Sequence, residues 1–254
     1  MRTEILYEDK SIMVVRKPAG LAVQSAGIGQ PDVVSELKSY LAKLPGAGRP
    51  GKGEPYLGIV HRLDQPVEGL LVFAKDKKAA ATLSKQLTEG ALNKHYYAVL
   101  CGYPDCPEGD LVDYLRKEGN VAVAVTGREQ EFADAKIAAL HYRILEEINA
   151  PSPLALADVT IGTGRFHQIR VQFAHAGFPL LGDTKYGMAA LIEAMPAQKY
   201  RGVALCAYSL ELVHPISGEK MGFRVVPKNP AFAGFAMEEL KKLTENETGI
   251  SKRG

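Results

Sequence analysis

The chain has 254 residues, 46% of them hydrophobic, and a formal net charge of only +2, a composition that suits a globular protein with a sizeable core rather than a disordered chain. No run approaches the roughly 18 apolar residues of a membrane span, and the N-terminal MRTEILYEDK lacks the apolar core of a signal peptide, so a cytoplasmic protein without a membrane partner is expected. Cys101, Cys106 and Cys206 are too few and wrongly spaced for a tetrahedral zinc site and odd in number for a disulfide framework, so they read as reduced thiols in or near the core. The small net charge also means that a nucleic-acid partner would need basic residues gathered locally.

Residues 4–7 and 12–16 are apolar around a polar turn at 8–10, which predicts a hairpin ended by Pro18 and Gly20. Residues 30–44 place Val33, Leu37, Tyr40, Leu41 and Leu44 at helical spacing behind Pro31, a residue favoured in a first helical turn. The following PGAGRPGKGEP, 45–55, comes near the phosphate-binding pattern GxxxxGK[ST] but fails it. Gly53 replaces the magnesium-holding hydroxyl, Pro50 removes a cradle donor, and Glu54-Pro55 blocks a helix behind it. A surface loop is expected there, with Arg49 and Lys52 within reach of an RNA backbone.

In residues 57–75, LGIVHRLDQPVEGLLVFAK, two apolar runs flank a polar turn that carries His61, Arg62 and Asp64. A carboxylate between cationic and hydrogen-bonding side chains at the end of a buried strand is held ionised and presented outward, although an aspartate in a turn can equally be a cap. Residues 76–89 predict a helix with Asp76 as cap, Ala79, Ala80, Leu83 and Leu87 on one face and Gly90 beyond its end. The strand 94–101 sends Tyr96 to one side and Tyr97 to the other, so only one tyrosine can face a given site.

Residues 110–115, 121–126, 133–148 and 154–161 predict mostly antiparallel strands separated by turn-like RKEGN and NAPSP, not the strand and helix alternation of a doubly wound fold. A dinucleotide fingerprint at Gly162 and Gly164 fails at His167. Residues 166–176 predict a helix with Phe166, Ile169 and Phe173 on one face, Arg170 one position away, and Gly177-Phe178-Pro179 as the stop. A short helix at 189–194, a strand pair at 203–213 and 221–226, a helix at 232–243 and a frayed tail at 244–254 complete the chain. No internal repeat or linker divides it.

HRLD followed five residues later by Gly69 resembles the catalytic-aspartate motif of the RluA-type pseudouridine synthases. ILYEDKSIMVVRKPAGLAVQ at 5–24 is similar to that family's opening hairpin, KHYYAVLCG at 94–102 to its tyrosine motif, and GRFHQIRVQFAHAGFPLLGDTKY at 164–186 to its arginine motif. The four pieces stand in the family order and the likeness reaches to about residue 226. It implies an α+β fold with a long, mixed, mainly antiparallel sheet flanked by helices and loops, and an active-site cleft across the middle. It further implies one catalytic domain over 1–243, lacking the separate N-terminal RNA-binding domain of many relatives.

The resemblance implies a reaction without cofactor or metal: a uridine in a ribosomal or transfer RNA stem-loop is isomerised to pseudouridine. Asp64 matches the catalytic carboxylate, Tyr96 the tyrosine beside the target base, and Arg170 the arginine that keeps Asp64 ionised. Arg62 matches the residue that fills the gap left by the extruded nucleotide, and His61, Arg165, His167, Gln168 and Lys52 are expected to contact RNA. A monomer with no obligate protein partner is expected. The chain departs from the family pattern at Val67 and Glu68, where Thr-Ser is usual, at Phe166 for Thr or Ser, at Gln172 for His and at Cys206 for His. Glu68 is expected to add negative charge where a phosphate would pass. Two other functions remain open at this point: a non-catalytic RNA-binding protein on the same fold, and a glycosidase that uses Asp64 on a free sugar or nucleoside.

Overall fold

Alternation of apolar and polar residues fails in the predicted hairpin, and that failure marks the middle of a sheet. Every residue of β2 (Ile12–Lys17) is buried, and so is every residue of β4 (Glu68–Ala74), whereas β1 (Glu4–Glu8) is partly exposed. Strands covered on both faces need near-continuous hydrophobic runs, and IMVV and LLVFA supply them. The computed structural model describes residues 1–25, 27, 29–44, 54–126, 134–149, 152–187 and 202–236. It divides into two compact units, one of Met1–Asn93 with Ala207–Pro227, the other of Lys94–Cys206 with 228–236.

In the first unit β1 and β2 are antiparallel, and Asp9 closes their turn by accepting from the backbone N–H groups of Ser11 at 2.7 Å and Ile12 at 2.8 Å. β2 pairs antiparallel with β4, from Ile12 opposite Ala74 to Lys17 opposite Gly69. The short β3 (Gly58–Ile59) also pairs with β4, and β10 (Leu205–Val213) lies beside β4 and pairs antiparallel with β11 (Lys220–Arg224). Gly69 has φ +129°, and a Cβ there would lie 2.4 Å from the carbonyl oxygen of Ala207, so only glycine fits where β4 approaches β10.

The helices of this unit begin on aspartates. α1 (Val33–Leu41) is capped by Asp32, which accepts from Ser35 N–H at 2.7 Å and, through its other oxygen, from Ser25 N–H at 2.7 Å. Burial opposes the Asp32 charge, but these backbone donors outweigh it and hold the carboxyl below its ordinary range. The helix therefore starts two residues after Pro31, which lies outside it. α2 (Lys77–Thr88) starts on Asp76 and ends before Gly90, at φ +72°, as the sequence predicts. Gln86 fastens it to the end of β10 by exchanging two hydrogen bonds with the Val213 backbone, at 2.7 and 2.9 Å.

The second unit is an antiparallel run of β5 (Asn93–Cys101), β9 (Leu154–Ile161), β8 (Lys136–Ile148), β6 (Glu108–Glu118) and β7 (Val121–Val125), paired in that order. β6 runs on through Arg116 and Lys117, so the turn predicted at RKEGN is confined to Gly119 and Asn120. α3 (Gln168–His175) begins two residues later than predicted, and residues 168–173 are buried all round. Phe166 is accordingly not on its apolar face; it precedes the helix and is 40% exposed. Cys101 and Cys206 are buried as expected, but Cys106 is exposed, since it sits in the irregular segment that enters β6.

Among the described residues the strands and three α-helices make the α+β fold with mainly antiparallel pairing that the resemblance implied. Among the described residues no helix is long and apolar enough to cross a membrane. Residues 45–53, 189–194 and 237–254, which carry the expected loop with Arg49 and Lys52, the expected short helix and most of the last helix with its tail, lie outside the described residues. The described part of that last segment shows a single 3-10 turn, Pro230–Phe232, capped by Asn229.

Candidate active site

The HRLD turn is short because β4 begins only four residues after Asp64, and the backbone must reverse inside them. Val67 N–H donates to the Asp64 carbonyl at 3.1 Å and closes the turn. Leu63 and Val67 are buried on either side, which leaves Asp64 partly exposed and Arg62 exposed. His61 is buried, and its Nε2 accepts from Val72 N–H at 3.2 Å, so the ring is anchored to β4 with its proton on Nδ1.

Beneath the turn lies Lys17, the last residue of β2, with no solvent exposure. Its ammonium donates to three carbonyls, Leu21 at 2.6 Å, Pro18 at 3.0 Å and Gln65 at 3.0 Å. The Gln65 carbonyl also accepts from Gly20 N–H at 2.8 Å, so the residue after Asp64 is tied both to the end of β2 and to the loop that follows it. Burial pushes the Lys17 ammonium down to about 7, and the charges of Asp64 and Glu68 pull in the opposite direction. Sequence reasoning passed over this lysine. Its signal was a cation directly before Pro18, at the end of a strand whose every residue is buried.

Glu68 corrects an expectation. It is buried and lies 3.6 Å from the Arg16 guanidinium, which also donates to the Val226 carbonyl at 2.6 Å. Its charge is directed into the unit and matched there, and is not displayed toward a phosphate. Lys75 is likewise occupied, donating to Glu8 at 2.6 Å and to the Asp9 carbonyl.

In the second unit Tyr96 and Tyr97 stand opposite Val159 and Asp158 and are both buried, at 5% and 8% exposure. Burial therefore does not distinguish them; the alternation of the strand does. The segment before α3 is shaped by one glutamine. The Gln168 amide oxygen accepts from Thr163 Oγ1 at 2.8 Å and Arg165 N–H at 3.0 Å, while its nitrogen donates to the Ala139 carbonyl at 3.0 Å. Arg165 reaches the Ile137 carbonyl through Nε at 2.9 Å. His167 has φ +54°, the left-handed region that non-glycine residues seldom occupy, and its Nδ1 is 2.6 Å from Tyr186 Oη.

Arg170 is buried and forms a two-pronged ion pair with Asp183, Nε to Oδ2 at 2.7 Å and Nη2 to Oδ1 at 2.8 Å. Oδ1 also accepts from the N–H groups of Lys185 at 3.0 Å and Tyr186 at 3.2 Å. A forked guanidinium held on a carboxylate that backbone donors fix in turn can neither rotate nor withdraw. The sequence reading missed Asp183 and Tyr186, although both stand in the GDTKY that closes the arginine motif. Gln172, at a position of departure, donates to Asp113 at 2.9 Å and to the Leu111 carbonyl at 3.0 Å, so this substitution joins α3 to β6.

The structure thus puts His61, Arg62 and Asp64 on one turn of the first unit and Arg165, His167, Gln168 and Arg170 on one segment of the second, with Tyr96 in β5. Lys52 lies outside the described residues. Among those residues no group of His, Cys, Asp and Glu is placed to hold a metal ion.

Comparison with known proteins identifies the family. A model of the RNA pseudouridylate synthase family matches residues 11–175, which include Asp64, Tyr96 and Arg170. An RNA pseudouridine synthase of Synechocystis sp. is 38% identical over 226 residues, covering 85% of this chain and 63% of its own length. Ribosomal large subunit pseudouridine synthase D of Zymomonas mobilis is 36% identical over 230 residues, covering 87% of this chain and 68% of its own. The chain thus spans about two thirds of the length of these relatives. The solved structure of human RNA pseudouridylate synthase domain containing 4 is similar with a TM-score of 0.68 at 25% identity, covering 94% of this chain and 93% of that one. With the ordered motifs, the α+β fold and a family model over most of the chain in agreement, this chain belongs to the RNA pseudouridylate synthase family.

Proposed function

We propose that this chain is an RNA pseudouridine synthase that isomerises uridines in structured ribosomal or transfer RNA, with Asp64 as the catalytic carboxylate. The observation that carries the reading is a partly exposed carboxylate in the HRLD motif of a chain of this family, on a turn fixed from beneath by Lys17 and Gly20. A carboxylate held in that way is suited to attack or stabilise a ribose carbon or the base, as carboxylates do in glycosidases. In the reaction the bond from N1 to C1′ breaks, the uracil turns, and C5 bonds to C1′. The proton on C5 then leaves, while N1 ends protonated.

In this reading the positive charge of Arg170 favours the ionised form of the catalytic carboxylate, and Tyr96 stacks on the uracil and takes the departing proton. Arg62, exposed beside Asp64, fills the space left by a nucleotide drawn out of its stack. Arg165, His167 and Lys52 contribute to the RNA surface, while His61, expected to contact RNA, is buried and steadies the turn from β4, and Gln168 acts through the loop that its amide holds. Residues 1–243 work as one catalytic domain, acting in the cytoplasm as a monomer without a cofactor.

The test uses ribosomal and transfer RNA transcripts labelled with tritium at uridine C5. Wild-type protein should release tritium, and Asp64→Asn should bind the same RNA while release falls by about 10⁴-fold. Release by purified Asp64→Asn at the wild-type rate would remove Asp64 from the chemistry. Binding without release by the wild type would favour the non-catalytic RNA-binding reading.

A further inference from the structure

Phe166 stands where the family usually has a small hydroxyl residue, and it is one of the large hydrophobic side chains left exposed among the described residues, at 40%. Its ring is supported from within. It stacks on the His167 ring with centroids 3.7 Å apart and planes 22° from parallel. His167 bonds to Tyr186, whose Oη also accepts from Ala122 N–H at 2.8 Å and whose ring lies edge-on to the imidazole at 5.5 Å. The Arg170 guanidinium lies 5.1 Å from the Tyr186 ring centroid. The stack is thus anchored on the buried ion pair of Arg170 with Asp183, and Phe166 is its outermost member.

A cation also lies over the Phe166 ring. Lys117 Nζ lies 4.9 Å from the ring centroid, on an exposed side chain of the β6–β7 hairpin. Lys185 joins the same hairpin through the Asn120 carbonyl at 2.8 Å, and Arg165 precedes Phe166 in the chain. The nearby Glu118 is paired with Arg116. A fixed aromatic face flanked by lysine and arginine is the combination by which proteins hold unstacked bases: the ring takes the base and the cations take the phosphates. A lysine already resting on that face is a long, flexible, easily displaced occupant.

We infer that Phe166, backed by His167 and flanked by Lys117, is a stacking platform for an unpaired nucleobase of the RNA substrate outside the nucleotide undergoing isomerisation. The inference rests on the proposed RNA function and adds to it a base contact at a position where this chain departs from the family pattern. When the base arrives, the Lys117 ammonium leaves the ring and pairs with a phosphate beside it. The platform therefore favours substrates whose target uridine has a single-stranded neighbour, and discriminates against continuous duplex.

The test measures fluorescence anisotropy of the whole protein with a labelled mixed-sequence single-stranded oligoribonucleotide and with the same sequence in a duplex. Phe166→Leu keeps an apolar cover over His167 but removes the aromatic face; Phe166→Trp keeps the face. The expected result is that Phe166→Leu weakens single-strand binding about tenfold and leaves duplex binding unchanged, while Phe166→Trp binds as the wild type does. Lys117→Ala should lower the slope of log affinity against log salt by about one. With 5-iodouridine in the single strand, irradiation should give a crosslink that maps to residue 166 and is lost in Phe166→Leu. Equal single-strand binding by wild type and Phe166→Leu, or a crosslink unaffected by the substitution, overturns the platform while leaving the proposed function intact. If wild-type protein binds neither RNA, the proposed function and the platform fail together.

Discussion

The turn that carries Asp64 and the segment that carries Arg170 are both rigid, but they are made rigid by different atoms. Around Asp64 the acceptors are backbone carbonyls: Asp64 receives Val67 N–H, and Gln65 receives both Gly20 N–H and the Lys17 ammonium. Around Arg170 the connections run through side chains, the Gln168 amide and the Asp183 carboxylate. A backbone hold is indifferent to most side chains of the turn, which explains why Val67 and Glu68 can replace a more usual Thr-Ser pair while the closing hydrogen bond persists. A side-chain hold depends on each identity, so substitutions there should act on stability directly.

Breaking the side-chain hold should give the largest effect. Asp183→Asn leaves the Arg170 guanidinium buried without its carboxylate, in a place where the two side chains are 4% and 0% exposed. Removing one partner of a buried ion pair costs about 3–5 kcal/mol, mostly because the remaining charge has lost its compensation. Chemical denaturation should show that loss, concentrated in the second unit when followed by amide exchange. A loss below about 1 kcal/mol would mean that the charge of Asp183 is not what holds the arginine in place.

The backbone hold has one side chain in it, and its response to pH is distinctive. Lys17→Met removes a donor from three carbonyls but also removes a cation that burial disfavours, so a net loss of about 2–3 kcal/mol is expected at neutral pH. The folded-state value of Lys17 is about 7, against 10.5 for the ordinary group. Between these values the unfolded chain binds the extra proton, so stability rises with pH. The penalty for keeping the ammonium protonated in the fold is full below about 7, is relieved as pH rises from there, and has gone above 10.5. Wild-type unfolding curves at several pH values should show this upward component and Lys17→Met curves should not. Parallel curves for the two proteins would place the lysine's titration outside that window.

This difference in atoms also decides what could be read in the sequence. The strands, the capped helix α2 and the HRLD turn were legible because their signals are local: Asp76 and Gly90 bracket one helix, and two apolar runs bracket one turn. Asp183 was not legible as the partner of Arg170, because a pairing across 13 positions leaves no periodic trace. The role of Gln168 was hidden for a related reason. Its amide serves Thr163 and Ala139 as well as Arg165, and a polar residue at a helix start reads equally well as an exposed RNA-binding group. Phe166 was misplaced on the apolar face because helical periodicity continues through it, while the left-handed backbone of His167 delays the start of the helix to Gln168. Glu68 was read as surface charge because nothing local announces Arg16, 52 positions away in sequence, as its partner.

The finest test of the comparison uses one residue type in both places. Gln65 and Gln168 each follow a functional segment's key polar residues, yet Gln65 is exposed and offers its carbonyl to Lys17 and Gly20, whereas Gln168 is 4% exposed and acts through its amide. Alanine keeps the carbonyl and deletes the amide. At Gln65 that amide makes a long, solvent-exposed hydrogen bond, Nε2 to the Gly20 carbonyl at 3.4 Å, so Gln65→Ala should change stability by less than about 0.5 kcal/mol. Gln168→Ala takes the acceptor from the part-buried Arg165 N–H and one of two donors from the Ala139 carbonyl, which keeps Gly162 N–H, and should cost about 1–2 kcal/mol. It should also loosen the segment that presents Arg165 and His167, so amide exchange should quicken over 162–167 while the HRLD turn keeps its protection. Denaturation midpoints of the two variants at one pH decide the matter. If Gln65→Ala proves as costly as Gln168→Ala, the turn depends on side chains after all, and the contrast between the two regions collapses.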